Sequence, residues 1–391
     1  MRIAVIGAGA VGGTLAALFA RAGHEVLVTA RSEQGATIAR EGIALTGAWG
    51  SSIARVTVIE RVDPPVELLV LATKTHDSAE ALTAALGCDG APVLVVQNGL
   101  GGADAVRAAL PRSPVAIGLA LFAASLVGPG RVEVTAGAPL TLGGDAAAVA
   151  VAAPLLRASL PADVTVIDDV LGAQWTKLLV NQVNALPAIT GRSVQQVVAD
   201  DGLRRVLAQG MRETVLVGLA LGAGFAPLGS IGEREIERLR SGDPAQAELV
   251  PRSLAAGMGS VPNPASTLQS IRRGRATEID ALNGAVVDAA ARVRVAVPVN
   301  AAMVALVHEV ERSGRFLTPA EVLARVDNSG VRRQTGRGTR ARVRIPTTRP
   351  SSTPELSTEC RAERPGTRTA GWRGPGAHVR AFARPRRSVH A

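Results

Sequence analysis

Of the 43 basic side chains in this 391-residue chain, only two are lysines, Lys74 and Lys177. Wherever a positive charge alone is wanted, the sequence uses arginine. An ammonium is compact and tunable, whereas a guanidinium effectively never gives up its proton. Two lysines kept against that bias suggest work that arginine cannot do, proton donation foremost. If Leu171 to Ala185 is one helix, about 100° per residue places Lys177, Asn181 and Asn184 on one narrow stripe, among Leu178, Leu179, Val180 and Val183. Buried polar groups need partners. The stripe is therefore either a self-satisfied structural network or a pocket for a small, oxygen-rich ligand. A second polar cluster runs from Asn263 to Asn283. Pro262 and Pro264 bracket Asn263, Ser266 reads as a helix N-cap, and Thr277-Glu278-Ile279-Asp280 and Asn283-Gly284 follow.

A third set of residues could bind phosphate. Gly7-Ala8-Gly9-Ala10-Val11-Gly12 lies between the apolar strand Arg2–Ile6 and an Ala/Leu-rich helix reaching Arg21. In that context the first glycine allows the tight turn, the second lets the backbone approach a pyrophosphate, and the third lets helix pack on strand. The helix N-terminus then faces the phosphates. The next strand, Glu25 to Ala30, runs into Arg31-Ser32. A guanidinium there suits an adenosine 2′-phosphate and favours NADP over NAD, although Glu33 keeps NAD open. Two further buried strands, Val66–Ala72 and Pro92–Val96, end at Thr73-Lys74 and Gln97-Asn98-Gly99. Ligands of open parallel sheets bind at that edge, so Lys74 and Asn98 are candidates for the ribose and nicotinamide end. The plainer readings are a solvated lysine and a turn-forming Asn-Gly pair.

These groups need a scaffold. Strands near Val115–Ala120, Arg131–Val134, Leu140–Leu142 and Val164–Ile167, with a helix near Ala146–Ser159, complete an α/β half; after Asp168 helical periodicity takes over. The fold class is an α/β N-terminal Rossmann-type dinucleotide-binding domain plus an all-α C-terminal domain, with a disordered basic tail. The expected divisions are 1–168, 169–326 and 327–391. Thr214 to Ile231 carries no charge but contains several glycines and Pro227, so it reads as a buried helix with a broken end rather than a membrane span.

Net charge sharpens the picture. The total is +10, but Val331–Ala391 holds 15 Arg against three acids, leaving 28 basic and 30 acidic groups before it. The body is nearly neutral and gives no global reason to expect nucleic acid. The tail has six Pro, six Gly and only seven Ile, Leu, Val, Phe or Met, too little apolar area to offset chain entropy. It reads as an accessory appendage, with a nucleic-acid-binding arm left open; Trp372 and Phe382 are its only aromatics. Two cysteines make neither a disulfide framework nor a cysteine-rich zinc site. No metal is expected, and a cytoplasmic location is. The sequence leaves the oligomeric state open, a homodimer among the options.

In order along about residues 1–315, these features resemble the ketopantoate reductase family. They are the glycine loop with Arg31, the strand-end Lys74, Asn98-Gly99, and Trp175-Thr-Lys177-Leu-Leu-Val-Asn181. Then come Ser266-Thr-Leu-Gln269, Gly274-Arg-Ala-Thr277-Glu278-Ile-Asp280, Asn283-Gly284 and Val297-Pro298-Val-Asn300. The resemblance implies reduction of 2-dehydropantoate to (R)-pantoate by NADPH in pantothenate biosynthesis, in a cleft between the two halves. It implies Lys177 as general acid and Glu278 as its catalytic partner, also near the cofactor. Asn181, Asn184, Asn263 and Ser266 would hold the 2-oxo acid. Gly7, Ala8, Gly9, Ala10, Val11, Gly12, Arg31, Lys74, Asn98 and Ala124 would hold NADP. Asn184 follows Lys177 by seven residues where the family usually has eight, and Gln269-Ser270 stands where it commonly has Gln-Asp. Two other functions stay open. One is a related NADPH-dependent reductase of another branched 2-oxo acid. The other is an NADP-binding regulator with a nucleic-acid-binding tail, against which a retained proton donor argues.

A chain shortened to end at Asn328 is expected to fold and to lose most of its retention on a cation-exchange resin. A truncated chain that melts well below the parent would remove the reading of the tail as an appendage.

Overall fold

The computed structural model describes residues 1–328, so the expectations for the basic tail lie outside the described residues from 329 on. The first half comprises β1 (Arg2–Ile6), α1 (Ala10–Arg21), β2 (Glu25–Thr29), α2 (Ser32–Glu41), β3 (Ile43–Gly47), β4 (Ser52–Ala54), β5 (Thr57–Ile59), β6 (Leu68–Leu71), α3 (Ser78–Leu82), β7 (Val93–Val95), α4 (Gly102–Ala109), β8 (Val115–Ala120), β9 (Ala123–Gly128), β10 (Arg131–Ala136), β11 (Leu140–Gly144), α5 (Ala146–Ser159) and β12 (Val164–Val166). The main sheet runs β12-β11-β8-β7-β6-β1-β2-β5. Its centre is parallel, and only β11 opposes its neighbour β8. The chain builds outward from β1 through β2 to β5, then returns to β6 on the other side of β1. The order therefore reverses between β1 and β6, where such sheets open a crevice for ligands. Strand sequences such as Leu68-Leu-Val-Leu71 are buried throughout because helices cover both faces.

A second sheet, β4-β3-β10-β9, was not expected from the sequence. It explains the composition of α1, which is buried from Gly12 to Phe19. That helix packs on β1 and β2 on one side and on β3, β4, β9 and β10 on the other. A helix apolar all round is a helix covered all round. Gly13 permits the approach, since a Cβ there would lie 3.0 Å from Val132 Cγ1.

The second half is helical: α6 (Val170–Asn181), α7 (Ala185–Thr190), α8 (Val194–Ala199), α9 (Asp201–Ala220), α10 (Glu233–Arg240), α11 (Pro244–Gly257), α12 (Ser266–Arg272), α13 (Asn283–Val293), α14 (Pro298–Ser313) and α15 (Pro319–Val326). Helix α9 is central and packs on α6, α8, α10, α11, α13, α14 and α15. The uncharged Thr214–Ile231 segment is its C-terminal part and the following loop, and no helix of the described residues is long and apolar enough to cross a membrane. Helix α6 joins the two halves. Its Val170 and Ala173 belong to the sheet's core, whereas Trp175, Leu178 and Leu179 belong to the helical core. Asp169 caps its start through Gly172 N at 2.7 Å. All described residues fall in one compact unit.

Two local expectations are corrected. The helix through Lys177 does not run unbroken to Ala185. It ends at Asn181, a 3₁₀ turn spans Gln182–Asn184, and α7 follows. Pro187 has no N–H to give to the Val183 carbonyl and its ring crowds that turn. Ser266 is also not the cap of α12 but its first residue; Ala265 precedes it with φ 60° and ψ 159°.

Candidate active site

The glycine loop ends β1 at the switch point. Gly7 has φ +97°, and a Cβ there would lie 2.6 Å from Thr73 Cγ2. A Cβ on Gly12 would lie 2.0 Å from the Gly7 carbonyl, so the third glycine lets α1 start directly against the loop. Gly9 has nothing within 4 Å of such a Cβ, leaving open space over the loop, and no side chain caps α1. Free N–H groups of Ala10, Val11 and Gly12 beside open space fit a pyrophosphate. The loop is held from behind. Thr29 Oγ1 and the Thr29 carbonyl accept from Gly7 N and Ala8 N at 3.1 and 3.2 Å. Gln34 Nε2 donates to the Ala8 carbonyl at 2.7 Å, and its Oε1 accepts from Gly130 N. Neither support was evident from motif spacing, because each works through tertiary contact.

Arg31 lies at the end of β2 as its spacing implied, exposed, with its guanidinium 3.0 Å from Glu80 of α3. The following Ser32 has φ 49°, uncommon for a residue with a Cβ. The sequence reading missed Glu80, which comes from α3, well apart in sequence.

At the next strand ends the two halves meet. Lys74 Nζ donates to the Ala276 carbonyl. Asn98 Nδ2 donates to Glu278 Oε2 at 3.3 Å. Gly99, at φ +81°, lies so near the Ala281 carbonyl that a Cβ would come within 2.1 Å. Ser125 Oγ of β9, next to Ala124, donates to Gln269 Oε1 of α12 at 3.0 Å. The segment from α12 to Asn283 is thus laid over the carboxyl edge of the sheet, beside the glycine loop.

Beneath it lies Lys177. Burial lowers its ammonium pKa from 10.5 to about 8, against the raising influence of the Glu278 carboxylate. Among the described residues no hydrogen bond or ion pair holds this ammonium. One helical turn on, Asn181 Nδ2 is buried with no partner. A buried amide N–H₂ left open one turn from a desolvated lysine fits a ligand oxygen better than a finished structural network.

The remaining predicted substrate residues are more engaged. Asn184 Oδ1 accepts from Ser266 N at 3.0 Å and Oγ at 2.9 Å, and its Nδ2 donates to the Asn181 carbonyl. It supplies the cap that α12 lacks from its own preceding residue. Asn263 Oδ1 accepts from Ala265 N at 2.9 Å, and its own N–H goes to Gln195 Oε1. Ala265 is held in a conformation essentially reserved for glycine, and such strain costs about 1–3 kcal/mol and clusters at functional sites. Asn283, singled out with the asparagines, points elsewhere: it bonds Gln182 and Asn300 in a buried network with Glu213. Among the described residues no group of His, Cys, Asp or Glu could hold a metal ion.

A glycine loop at the switch point of a parallel sheet, with a desolvated lysine beyond its carboxyl edge, is an arrangement that suits an oxidoreductase. A family model described as "Ketopantoate reductase PanE/ApbA" matches residues 3–146, and its C-terminal companion matches residues 169–311. The chain belongs to the ketopantoate reductase family. It is 32% identical over 330 residues to a 2-dehydropantoate 2-reductase of Halobacterium salinarum, spanning 80% of this chain and 100% of that one. The solved structure of a PanE/ApbA family ketopantoate reductase from Ralstonia eutropha JMP134 is similar with a TM-score of 0.67 at 29% identity, covering 80% of this chain and 99% of that one. A D-mandelate dehydrogenase solved with NADH and anilino(oxo)acetate shares the fold, with a TM-score of 0.69 at 24% identity and coverage of 80% and 99%.

Gly99→Ala tests the closeness of the two halves. The added Cβ meets both a positive φ and the Ala281 carbonyl, and we expect a loss of about 1–3 kcal/mol in denaturant unfolding. An unchanged midpoint would show that the approach is not needed.

Proposed function

We propose that the chain is an NADPH-dependent 2-dehydropantoate 2-reductase that makes (R)-pantoate. The observation that carries this reading is the desolvated Lys177 ammonium, held at a pKa of about 8 beside Glu278 and the open Asn181 amide. Bound NADPH supplies the hydride to the C2 carbonyl carbon. Lys177 Nζ points its proton at the carbonyl oxygen, stabilises the charge that develops there and then protonates it. Asn181 donates to a substrate oxygen. Glu278 keeps enough of the lysine charged at neutral pH, and Asn98 holds Glu278 in turn. Ser266 and Asn263 face the hydroxyl and carboxylate end, with Asn184 setting Ser266. Gly7 to Gly12 hold the pyrophosphate, Lys74 and Asn98 the ribose and nicotinamide end, and Ala124 lines the same side.

One observation favours a second reading. With α6 broken after Asn181, Asn184 spends its oxygen on Ser266, leaving fewer free groups for the hydroxyl of the pantoyl chain. A related 2-oxo acid is then the substrate. A panel of 2-oxo acids followed by NADPH absorbance decides: the main reading expects 2-dehydropantoate to lead, and a last place for it selects the second.

The lysine must be protonated to donate. Reduction should therefore hold below pH 8 and fall as pH rises through about 8, while oxidation of the alcohol should rise through the same range. Glu278→Gln removes the raising influence and should move this limb to lower pH. Lys177→Ala should cut turnover by roughly 10²- to 10⁴-fold; near-normal activity would remove Lys177 as the acid.

Cofactor choice is assigned to Arg31, whose guanidinium can exchange Glu80 for a 2′-phosphate. Arg31→Ala should erode the preference for NADPH over NADH, measured as the ratio of kcat/KM. A ratio equal to the parent's would refute that role.

A further inference from the structure

Glu278 has no helix or strand of its own to hold it. It lies on the turn Thr277–Ala281, preceded by exposed Arg272, Arg273, Gly274, Arg275 and Ala276. That turn is fastened to α14 by His308 and Glu311, which neither the motifs nor the reaction call for, with Asp280 as their partner on the turn. Glu311 Oε1 accepts from Thr277 N at 2.8 Å. Glu311 Oε2 lies 2.6 Å from His308 Nδ1, and His308 Nε2 lies 2.9 Å from Asp280 Oδ1. A neutral imidazole has one N–H and an ionised carboxylate has none. Both contacts are satisfied together only if both ring nitrogens donate. We propose that His308, as an imidazolium between Asp280 and Glu311, is a positioning residue that fixes the turn carrying Glu278 and so sets the protonation of Lys177. The inference rests on the reading of Lys177 as proton donor.

The electrostatics agree with the geometry. Burial works against the charge on His308, but the hydrogen bonds to Glu311 and Asp280 outweigh it and raise the ring pKa above its ordinary 6.5. Burial likewise presses the Glu311 carboxyl upward, and the Thr277 amide and His308 hold it below its ordinary value. Helix α14 packs on α7, α9, α13, α15 and the 279–281 turn. Of these, only the turn presents a charge to the ring, through Asp280. The neighbouring Glu309 is engaged 3.1 Å away by Arg325 of α15. The turn is also the part of the helical half that meets Asn98 and Gly99, so its position passes directly to the site.

The two-lysine composition offers a readout independent of turnover. Lysine labelled with ¹³C at Cε gives two signals, and Lys177 can be titrated directly by NMR in the full chain. We expect the His308 ring to titrate above 6.5. In His308→Gln we expect the Lys177 pKa to fall, because Glu278 is no longer held near. Loss of a cation acting only through its field would raise it, so the sign separates positioning from simple electrostatics. Exchange of the 277–281 amides should quicken in both His308→Gln and Asp280→Asn. The kcat of His308→Gln should drop by about tenfold, with KM within about twofold. A Lys177 pKa that stays or rises, with unchanged amide exchange in both variants, overturns the proposal. So does a parent His308 that titrates below 6.5. If no 2-oxo acid is reduced while the titrations behave as expected, the clamp stands and the assigned reaction falls.

Discussion

The site turns on one balance: the cost of dehydrating the Lys177 ammonium against the pull of Glu278. Burial alone would leave the lysine neutral and without a proton to donate. A carboxylate in full contact would keep the ammonium charged well above neutral pH and reluctant to release its proton. A pKa of about 8 lies between these limits, where donor strength and the charged fraction are both useful. The two groups come from different parts of the helical half, and the balance therefore depends on how the segment bearing Glu278 is seated. Helix α6 takes one end of its packing from the sheet and the other from the helical core. The lysine is thereby placed in both frames at once.

Seating the other partner uses backbone rather than bulk. Gly99 lets the Ala281 carbonyl approach a strand end at a distance no other residue permits. Ala265 accepts a left-handed conformation so that Ser266 can start α12 under the Asn184 side chain. These two exceptions to ordinary backbone rules fall on either side of the turn with Glu278. Glycine takes its positive φ freely, and the strain at Ala265 is tolerable because surrounding contacts over-determine it: Asn263 Oδ1 holds the Ala265 amide, and Asn184 holds the next one. The residues read from sequence as substrate ligands therefore spend part of their hydrogen-bonding capacity on local structure.

What could be read from the sequence follows from where each constraint is local. The glycine loop was legible because a tight turn, an open phosphate path and a close helix start each demand glycine at a set position. Lys177 and Asn181 were legible because four residues make about one turn. The break before Ala185 was not legible in the same way: Pro187 lies three residues beyond Asn184 and breaks the preceding turn. The cap of α12 failed differently: it comes from 82 residues upstream, and no local pattern announces it. The second sheet was missed because its strands β3, β4 and β9 are partly exposed and carry no continuous buried apolar run. Only the buried stretch Gly12–Phe19 of α1 implied that something lay on its outer face. His308 and Glu311 look in sequence like ordinary solvated charges on a helix, and the motif that holds Asp280 does not announce them as its partners.

The charge partition acquires a mechanical meaning in this light. With 28 basic and 30 acidic groups before Val331, the body exerts no large net field on an anionic cofactor or an anionic acid. Attraction must come from placed groups at short range. On the proposed reading Arg31 is one, here paired with Glu80, and Lys74 another, here donating to Ala276. Each cation at the mouth already has a partner of the protein's own, and both pairs are accessible to solvent. Such contacts are worth little individually, so an incoming phosphate can replace them at small cost. Lys177 differs because, among the described residues, it makes no hydrogen bond or ion pair and feels Glu278 only through its field. The cations at the rim can be satisfied with or without ligand, whereas the one at the centre is satisfied only by a group that brings its own oxygen. On the proposed reading, selectivity for a carbonyl compound that can accept a proton would reside in that asymmetry, and it would account for a lysine in place of arginine at this position.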